Sequence, residues 1–200
     1  MKKARIGVLA LQGAFREHVR AVTLCGGEAV EVRRQSELEG LEGLILPGGE
    51  STVMGRLLVE WNLLEPVRSL CSSGIPVLAT CAGLILLCRE ILDYPRQTRL
   101  GLLDASVRRN AFGRQVDSFS TELTLDPFPG QDSEDSLEAV FIRAPLIERI
   151  GPEVRCLGRV QGKPVAVRQG NLLALSFHPE LTDDLRLHRW MVHEALRRSR

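Results

Sequence analysis

Pro76-Val77-Leu78-Ala79-Thr80-Cys81-Ala82-Gly83-Leu84-Ile85-Leu86-Leu87 is the stretch that decides the fold of this chain. The apolar run after Pro76 predicts a buried strand, and the run after Gly83 predicts a buried helix, so Cys81 falls on the turn between them. Small residues at this turn leave the Cys81 side chain projecting above the carboxyl edge of a sheet. The N-terminus of a helix also favours a thiolate over a thiol. The stretch therefore predicts a nucleophile elbow, with a buried structural cysteine as the alternative.

Length and composition indicate one soluble globular domain over residues 1–200. A chain of this size buries about 70% of its unfolded surface. Its hydrophobic residues (44%) and charged residues (26%) are typical of globular proteins and argue against disorder and against a membrane protein. The formal net charge of +1, with scattered basic residues, gives no sign of nucleic-acid binding.

The cysteines indicate a reducing compartment. There are five, an odd number, and no C-x-x-C pair occurs, so neither a disulfide framework nor a zinc site is predicted. No metal and no cofactor are expected. Lys2 and Lys3 precede a short apolar run that Gln12 interrupts, which favours a first core strand over a signal peptide. We therefore expect a cytoplasmic protein.

The first half of the chain alternates short apolar strands with helices. Strands are predicted at residues 5–11, 28–32 and 44–46, and the strand before Cys81 is the fourth. Helices are predicted between them, the first ended by Gly26-Gly27. This alternation indicates a parallel sheet, with a ligand site at the carboxyl ends of its strands.

From about residue 105, β-like segments with turn signals replace the helical crossovers. They are expected at residues 105–109, 118–125, 139–142, 156–160, 164–168 and 172–176. A polar, turn-rich gap at residues 126–136 predicts an exposed loop. A last helix is expected from about Asp183, with apolar residues spaced to face the core: Leu187, Trp190, Met191 and Ala195. The predicted fold class is α/β, with a mostly parallel central sheet flanked by helices in three layers and an antiparallel extension of that sheet.

Ser176-Phe177-His178-Pro179-Glu180 follows the last predicted strand. A cysteine nucleophile needs an imidazole to move a proton, and the imidazole needs an acceptor that fixes its tautomer. His178 and Glu180 meet both demands, and the alternative is a turn histidine beside an unrelated surface carboxylate. The other histidines (His18, His188 and His193) lie in helical patterns among charged residues and are predicted to be solvated.

Leu46-Pro47-Gly48-Gly49-Glu50-Ser51-Thr52 places two glycines after a strand end. Consecutive glycines let backbone N–H groups approach a ligand. Acyl transfer needs such donors for its oxyanion. We therefore predict an oxyanion hole made by Gly48, Gly49 and the amide of Ala82, with a plain tight turn as the alternative. The segment lacks the spacing and the lysine of a phosphate loop.

Together these three features resemble the class I, triad-type glutamine amidotransferase family, and the resemblance covers nearly the whole chain. Further strings resemble one branch of it, the glutaminase subunits of the two-protein pyridoxal 5′-phosphate synthase, which makes vitamin B6. They are Gly7 to Gly13 with Glu17-His18, Arg109-Asn110-Ala111-Phe112-Gly113-Arg114-Gln115, and Phe141-Ile142-Arg143-Ala144-Pro145.

The resemblance implies hydrolysis of L-glutamine to L-glutamate and ammonia through a cysteine thioester, with ammonia passed to a separate synthase subunit in a hetero-oligomeric complex. It implies that Cys81, His178 and Glu180 form the catalytic triad. It also implies that a further set of residues contacts glutamine: Gly49, Glu50, Ser51, Arg109, Ile142 and Arg143. An arginine suits the α-carboxylate of glutamine, and a carboxylate or backbone carbonyls suit its α-ammonium group.

Alternatives remain open at this stage. Arg109 is also compatible with a solvated charge on a strand edge, and Arg143 with a surface pair to Glu148. The whole chain is also compatible with the glutaminase subunit of imidazole glycerol phosphate synthase, although the strings from Arg109 and Phe141 argue against it. A catalytically idle binding module is the third possibility, and the intact triad argues against that.

Overall fold

The computed structural model describes residues 2–111, 118–127 and 136–198. The string Phe112 to Gln115 and most of the predicted loop at residues 126–136 lie outside the described residues. The strands are β1 (Arg5–Leu9), β2 (Glu28–Val32), β3 (Gly43–Leu46), β4 (Val77–Thr80), β5 (Cys88–Ile91), β6 (Leu103–Arg108), β7 (Ser118–Leu123), β8 (Leu137–Ile142), β9 (Leu146–Ile150), β10 (Arg155–Val160), β11 (Lys163–Gln169) and β12 (Leu172–Leu175). The helices are α1 (Phe15–Leu24), α2 (Ser51–Glu60), α3 (Leu64–Ser72), α4 (Ala82–Leu87) and α5 (Arg186–Arg198).

A seven-stranded sheet forms the centre of the fold, in the order β10-β11-β12-β4-β3-β1-β2. The strands from β12 to β2 are all parallel, whereas β10 and β11 pair antiparallel at one edge. The predicted fold class is therefore confirmed. Since β4 lies between β12 and β3, the residues that follow these three strands meet at one carboxyl edge.

Both faces of this sheet are covered. Alternate residues of β3 belong to different core clusters: Leu44 and Leu46 pack with α2, α3 and α4, whereas Ile45 packs with α1 and α5. Strands buried on both faces are expected to be continuously apolar, as the sequence of β3 is. The last helix begins at Arg186, and its four predicted core residues are buried.

Strands β10 and β11 form the predicted antiparallel extension of the central sheet, but the other segments assigned to it lie elsewhere. Strand β12 pairs parallel with β4 and belongs to the central set. Strands β5, β6 and β9 form a separate sheet, and β7 and β8 form a separate hairpin. Strands β5 and β9 were not predicted from the sequence. Short strands carry little periodic signal, because pairing partners distant in the chain decide whether they form.

None of the helices in the described residues combines the length and the apolar character that crossing a membrane requires.

Candidate active site

Cys81 lies between β4 and α4 in a conformation that non-glycine residues rarely adopt, with φ of 45° and ψ of −100°. Its N–H donates to the carbonyl of Leu175 at 2.8 Å, which ties the turn to β12. A Cβ on Gly83 would lie 2.0 Å from the carbonyl oxygen of Leu46, so α4 passes so close to β3 that glycine is required. This is the geometry of a nucleophile elbow, in which strain at the turn is part of the site.

His178 and Glu180 follow β12 and start a short 3₁₀ turn, Pro179–Leu181. His178 Nδ1 lies 2.7 Å from Glu180 Oε1, and Cys81, which lines the same cavity as His178, has its Sγ 3.9 Å from the carbonyl oxygen of Ile142. The backbone N–H of His178 donates to the carbonyl of Val140 at 2.8 Å, which fixes the turn against β8. The structure thus brings Cys81, His178 and Glu180 into one connected group, and all three are buried.

The charged forms of His178 and Glu180 stabilise each other. Burial disfavours the charged form of His178, but hydrogen bonds and charge interactions with Cys81 and Glu180 outweigh it and raise the pKa of His178 to about 10. Burial also opposes ionisation of Glu180, but His18 and His178 together lower the pKa of its carboxyl far below the usual range. At neutral pH the site therefore holds an imidazolium next to a carboxylate.

The prediction that all three remaining histidines are solvated is wrong for His18 and His188, which are completely buried, and only His193 is exposed. His18 Nδ1 lies 2.9 Å from His188 Nε2, and His18 Nε2 lies 3.4 Å from Glu180 Oε2. Solvated positions were predicted because the sequence neighbours of His18 and His188 are charged. In the structure, α1 directs His18 toward α5, and α5 directs His188 toward α1. Burial and the neighbouring His18 lower the pKa of His188 to about 3.

The segment Gly48–Ser51 follows β3 and faces the same edge. Gly48 is so close to the triad that a Cβ there would lie 2.3 Å from His178 Cε1. The carbonyl of Gly48 accepts from the N–H of Ala14 at 3.0 Å. Glu50 caps α2 by accepting from the N–H groups of Thr52 and Val53, and the resulting hydrogen bonds outweigh burial and lower its pKa. Ala82, the third predicted oxyanion residue, is the first residue of α4.

Gln12 joins this segment to the end of β1. Its Oε1 accepts from the N–H of Glu50 at 2.6 Å.

Arg109 is not a solvated edge charge. Its guanidinium contacts the hydroxyl of Thr52, lies 2.6 Å from Gln97 Oε1, and stacks over the ring of Tyr94 at 4.0 Å from the centroid. Because the backbone N–H of Arg109 also donates to Asp93 at 3.2 Å, both ends of the residue are held.

The alternative for Arg143, a pair with Glu148, is also not what the structure shows, because Glu148 pairs with Arg108 at 3.3 Å. Arg143 has a positive φ of 43° and follows β8 directly.

One cavity of about 280 Å³ lies at this edge of the sheet, just below the usual size range of ligand pockets. Its walls include every residue predicted to contact substrate, together with Cys81, His178 and Gly48. Sequence reasoning missed Ile85 and Asn110 among the lining residues, and Gln97 and Tyr94 behind Arg109. The position of Ile85 in the sequence could have indicated its place in the site, since it lies one helical turn after Cys81. Nothing in the sequence indicated that Gln97 lies near the site, since it is part of an irregular turn.

No cluster of three or more His, Cys, Asp or Glu side chains suited to a metal ion occurs in the described ranges.

Comparison with known proteins agrees with this arrangement. Residues 8–197 match the SNO glutamine amidotransferase family. The pyridoxal 5′-phosphate synthase subunit PdxT of Moorella thermoacetica is 56% identical over 94% of this chain and 97% of its own length. The subunit of the same name from Parafrankia sp. is 56% identical over 96% of this chain and 93% of its own length. A crystal structure of a glutamine amidotransferase superposes with a TM-score of 0.88 at 51% identity, covering 95% of this chain and 98% of that one. The chain therefore belongs to the SNO glutamine amidotransferase family.

Proposed function

We propose that this chain is the glutaminase subunit of a two-protein pyridoxal 5′-phosphate synthase. It hydrolyses L-glutamine to L-glutamate and ammonia and delivers the ammonia to a separate synthase subunit for vitamin B6 biosynthesis. The observation that carries this proposal is that Cys81 and His178 line one cavity at the carboxyl edge of the sheet, with the Glu180 carboxylate bonded to His178 Nδ1 at 2.7 Å. The names of the relatives, at 56% identity over nearly their whole lengths, support the synthase assignment.

Cys81 is the proposed nucleophile. Its thiolate attacks the side-chain amide carbon of glutamine, and His178 gives a proton to the leaving nitrogen, so that ammonia departs and a glutamyl thioester remains. His178 then takes a proton from water, which attacks the thioester carbon and releases glutamate and the Cys81 sulfur. Glu180 holds Nδ1 of His178 at 2.7 Å, and this leaves Nε2 for the proton transfers.

The N–H groups of Gly48, Gly49 and Ala82 are the proposed oxyanion donors. The Gly48 carbonyl is engaged by Ala14, and in a planar trans peptide the N–H of Gly49 points the opposite way. Backbone donors held in this manner stabilise the tetrahedral oxyanion without reorganising during the reaction.

Arg109 and Glu50 are the proposed partners of the two charged ends of glutamine. The Arg109 guanidinium, already oriented by Gln97 and Thr52, suits the α-carboxylate, and the Glu50 carboxylate suits the α-ammonium. A carboxylate has about four acceptor positions, so Glu50 retains capacity beyond its two capping bonds. Gly49, Ser51, Ile142 and Arg143 complete the proposed glutamine site.

Residues 1–200 are proposed to act as one glutaminase domain in a hetero-oligomeric complex with the synthase subunit, in the cytoplasm. The two core clusters on opposite faces of one sheet support a single folding unit. The near-neutral charge gives no support for a nucleic-acid partner, and we propose none, nor a membrane.

The proposal is tested by tracing nitrogen. The chain is mixed with the synthase subunit of the same organism, ribose 5-phosphate, a triose phosphate that supplies the remaining three carbons, and glutamine labelled in its amide nitrogen, and the pyridoxal 5′-phosphate formed is analysed by mass spectrometry. We expect the label in the product. The Cys81→Ser complex should fail with glutamine yet form product from added ammonium, which shows that the synthase is competent. Glutamine hydrolysis without label in the pyridoxal 5′-phosphate would refute the delivery of ammonia to the synthase subunit. Absence of glutamine hydrolysis would refute the glutaminase activity.

A further inference from the structure

Two further buried histidines extend the group formed by Cys81, His178 and Glu180: His18 lies next to Glu180, and His188 lies next to His18. Glu180 uses Oε1 for His178, and its other oxygen, Oε2, lies 3.4 Å from His18 Nε2. His18 in turn lies 2.9 Å from His188 through Nδ1 and 3.2 Å from the Thr80 hydroxyl through Nε2. Thr80 is the last residue of β4, directly before Cys81. His18, Thr80 and His188 are completely buried, and so is the Glu180 carboxylate.

A buried carboxylate needs a donor for each oxygen, because an uncompensated charge away from water is costly. Without His18, Oε2 of Glu180 would face this interior unpaired. The 3.4 Å contact is longer than a regular hydrogen bond of about 2.9–3.0 Å. Within the described residues, however, Oε2 has no regular hydrogen-bond partner. His18 is therefore the side chain that compensates this oxygen.

The surroundings determine which nitrogen of His18 carries a proton. Glu180 is anionic at neutral pH, since burial is outweighed by His18 and His178 and its pKa lies far below the usual range. A bare Nε2 would direct its lone pair at this carboxylate, so Nε2 carries the hydrogen and shares it between Glu180 Oε2 at 3.4 Å and the Thr80 hydroxyl oxygen at 3.2 Å. Nδ1 then either accepts from His188 Nε2 or, in an imidazolium, donates to it, and both arrangements leave the Nε2 hydrogen in place.

We propose that His18 is a positioning residue for the reaction, which donates its Nε2 hydrogen to Glu180 Oε2 and so keeps Oε1 directed at His178 Nδ1. His188 braces His18 from the opposite side. The catalytic imidazole is thus oriented from α1 and α5 as well as from its own turn. This role rests on the proposed glutaminase function, because it acts through His178.

The test compares His18→Leu with His18→Gln in the full chain bound to saturating synthase subunit. The leucine side chain fills the space of the imidazole but has no hydrogen-bond donor. The glutamine side-chain amide places an N–H near the position of His18 Nε2. We expect His18→Leu to lower kcat for glutamine hydrolysis about 10- to 100-fold, the loss seen when supporting hydrogen bonds around metal-bound histidines are removed. KM should change little, and His18→Gln should recover most of the turnover. The control is His193→Leu, at an exposed position of α5.

A second measurement uses the unaltered protein. Heteronuclear NMR of the imidazole nitrogens at neutral pH should show a proton on His18 Nε2. A neutral His18 with a bare Nε2 would overturn the proposal, even if the variants fail to fold. Wild-type kcat in folded His18→Leu would overturn it as well, and so would equal losses in folded His18→Leu and His18→Gln. These results differ from failure of the proposed function, in which the unaltered chain itself would not hydrolyse glutamine.

Discussion

Replacing Gly48 by alanine should inactivate the site through a clash with His178 rather than through backbone strain. A Cβ at this position would lie 2.3 Å from His178 Cε1 and 2.8 Å from Nδ1. Ordinary contact begins at 3.4 Å, so the imidazole would have to retreat by about 1.1 Å. The ring is buried and bonded to Glu180 at 2.7 Å, and a retreat of this size breaks its alignment with Glu180 and Cys81.

A misplacement of about 1 Å in a catalytic group costs about 100-fold in rate. We therefore expect Gly48→Ala to lower kcat for glutamine hydrolysis by about that factor. Gly48 does not have a positive φ, so backbone strain adds nothing, and the melting temperature should fall only by the amount that corresponds to the cost of displacing the ring, about 1–3 kcal/mol. The assay couples glutamate release to glutamate dehydrogenase in the presence of saturating synthase subunit, and calorimetry measures the melting temperature.

Gly162→Ala is the matched control. Gly162 lies at the turn between β10 and β11 with φ of 76°, and a Cβ there would meet no atom within 4 Å. Alanine in this left-handed conformation costs about 1–2 kcal/mol, so this variant should lose stability and keep its turnover. A loss of turnover in Gly48→Ala alone separates the contact with His178 from the general cost of replacing a glycine. Wild-type kcat in Gly48→Ala would mean that this contact does not set the position of the imidazole.

Three further outcomes follow from the site. His178→Ala should lower kcat at least about 100-fold, because it removes the general acid and base. Glu180→Gln should lower kcat less, because it removes only a group that orients the imidazole. The reverse order in matched assays would mean that the roles of His178 and Glu180 are misassigned. Since the pKa of His188 falls from 6.5 to about 3 on folding, its neutral form contributes stability above pH 6.5 that is lost as the pH falls toward 3. Replacing His188 by leucine should therefore flatten the decline of unfolding free energy across that window, and urea titrations that show no difference from a His193→Leu control would contradict this. Arg109→Lys should raise KM for glutamine about tenfold with little change in kcat. The reason is that a bidentate contact loses one hydrogen bond to a charged group, which is worth about 1.5 kcal/mol. A fall in kcat at unchanged KM would argue against a role of Arg109 in binding the α-carboxylate.

The catalytic edge could be predicted from the sequence because its determinants are local. A strand, a cysteine and a helix follow one another within the Pro76 to Leu87 stretch, and His178 and Glu180 are two residues apart. Since parallel strands end at one edge, the pattern predicted that the segments after β3 and β4 would meet. His178 and Glu180 were placed beside Cys81 because a cysteine nucleophile needs an imidazole and a carboxylate, not because of strand direction. The central sheet and its flanking helices were predictable for the same reason, because their alternation is continuous in the first half of the chain.

What the sequence did not reveal depends on contacts between distant segments. His18 and His188 are 170 positions apart, and each looks solvated in its own helix because its sequence neighbours are charged. Only the packing of α1 against α5 buries them together. In the same way, β12 was assigned to the antiparallel part because its sequence neighbours are antiparallel, whereas its pairing with β4 is decided by the fold.

The central claim is that Cys81 attacks the side-chain amide carbon of glutamine, and covalent trapping tests it most directly. The chain, with the synthase subunit bound, is treated with a diazo ketone that mimics glutamine, and the modified peptide is identified by mass spectrometry. We expect one adduct, on Cys81, and we expect glutamine to protect against it. Cys81→Ser should abolish the adduct, and His18→Leu should slow its formation. Loss of glutaminase activity with the adduct on any of the other four cysteines, or with no adduct on Cys81, would show that Cys81 is not the nucleophile.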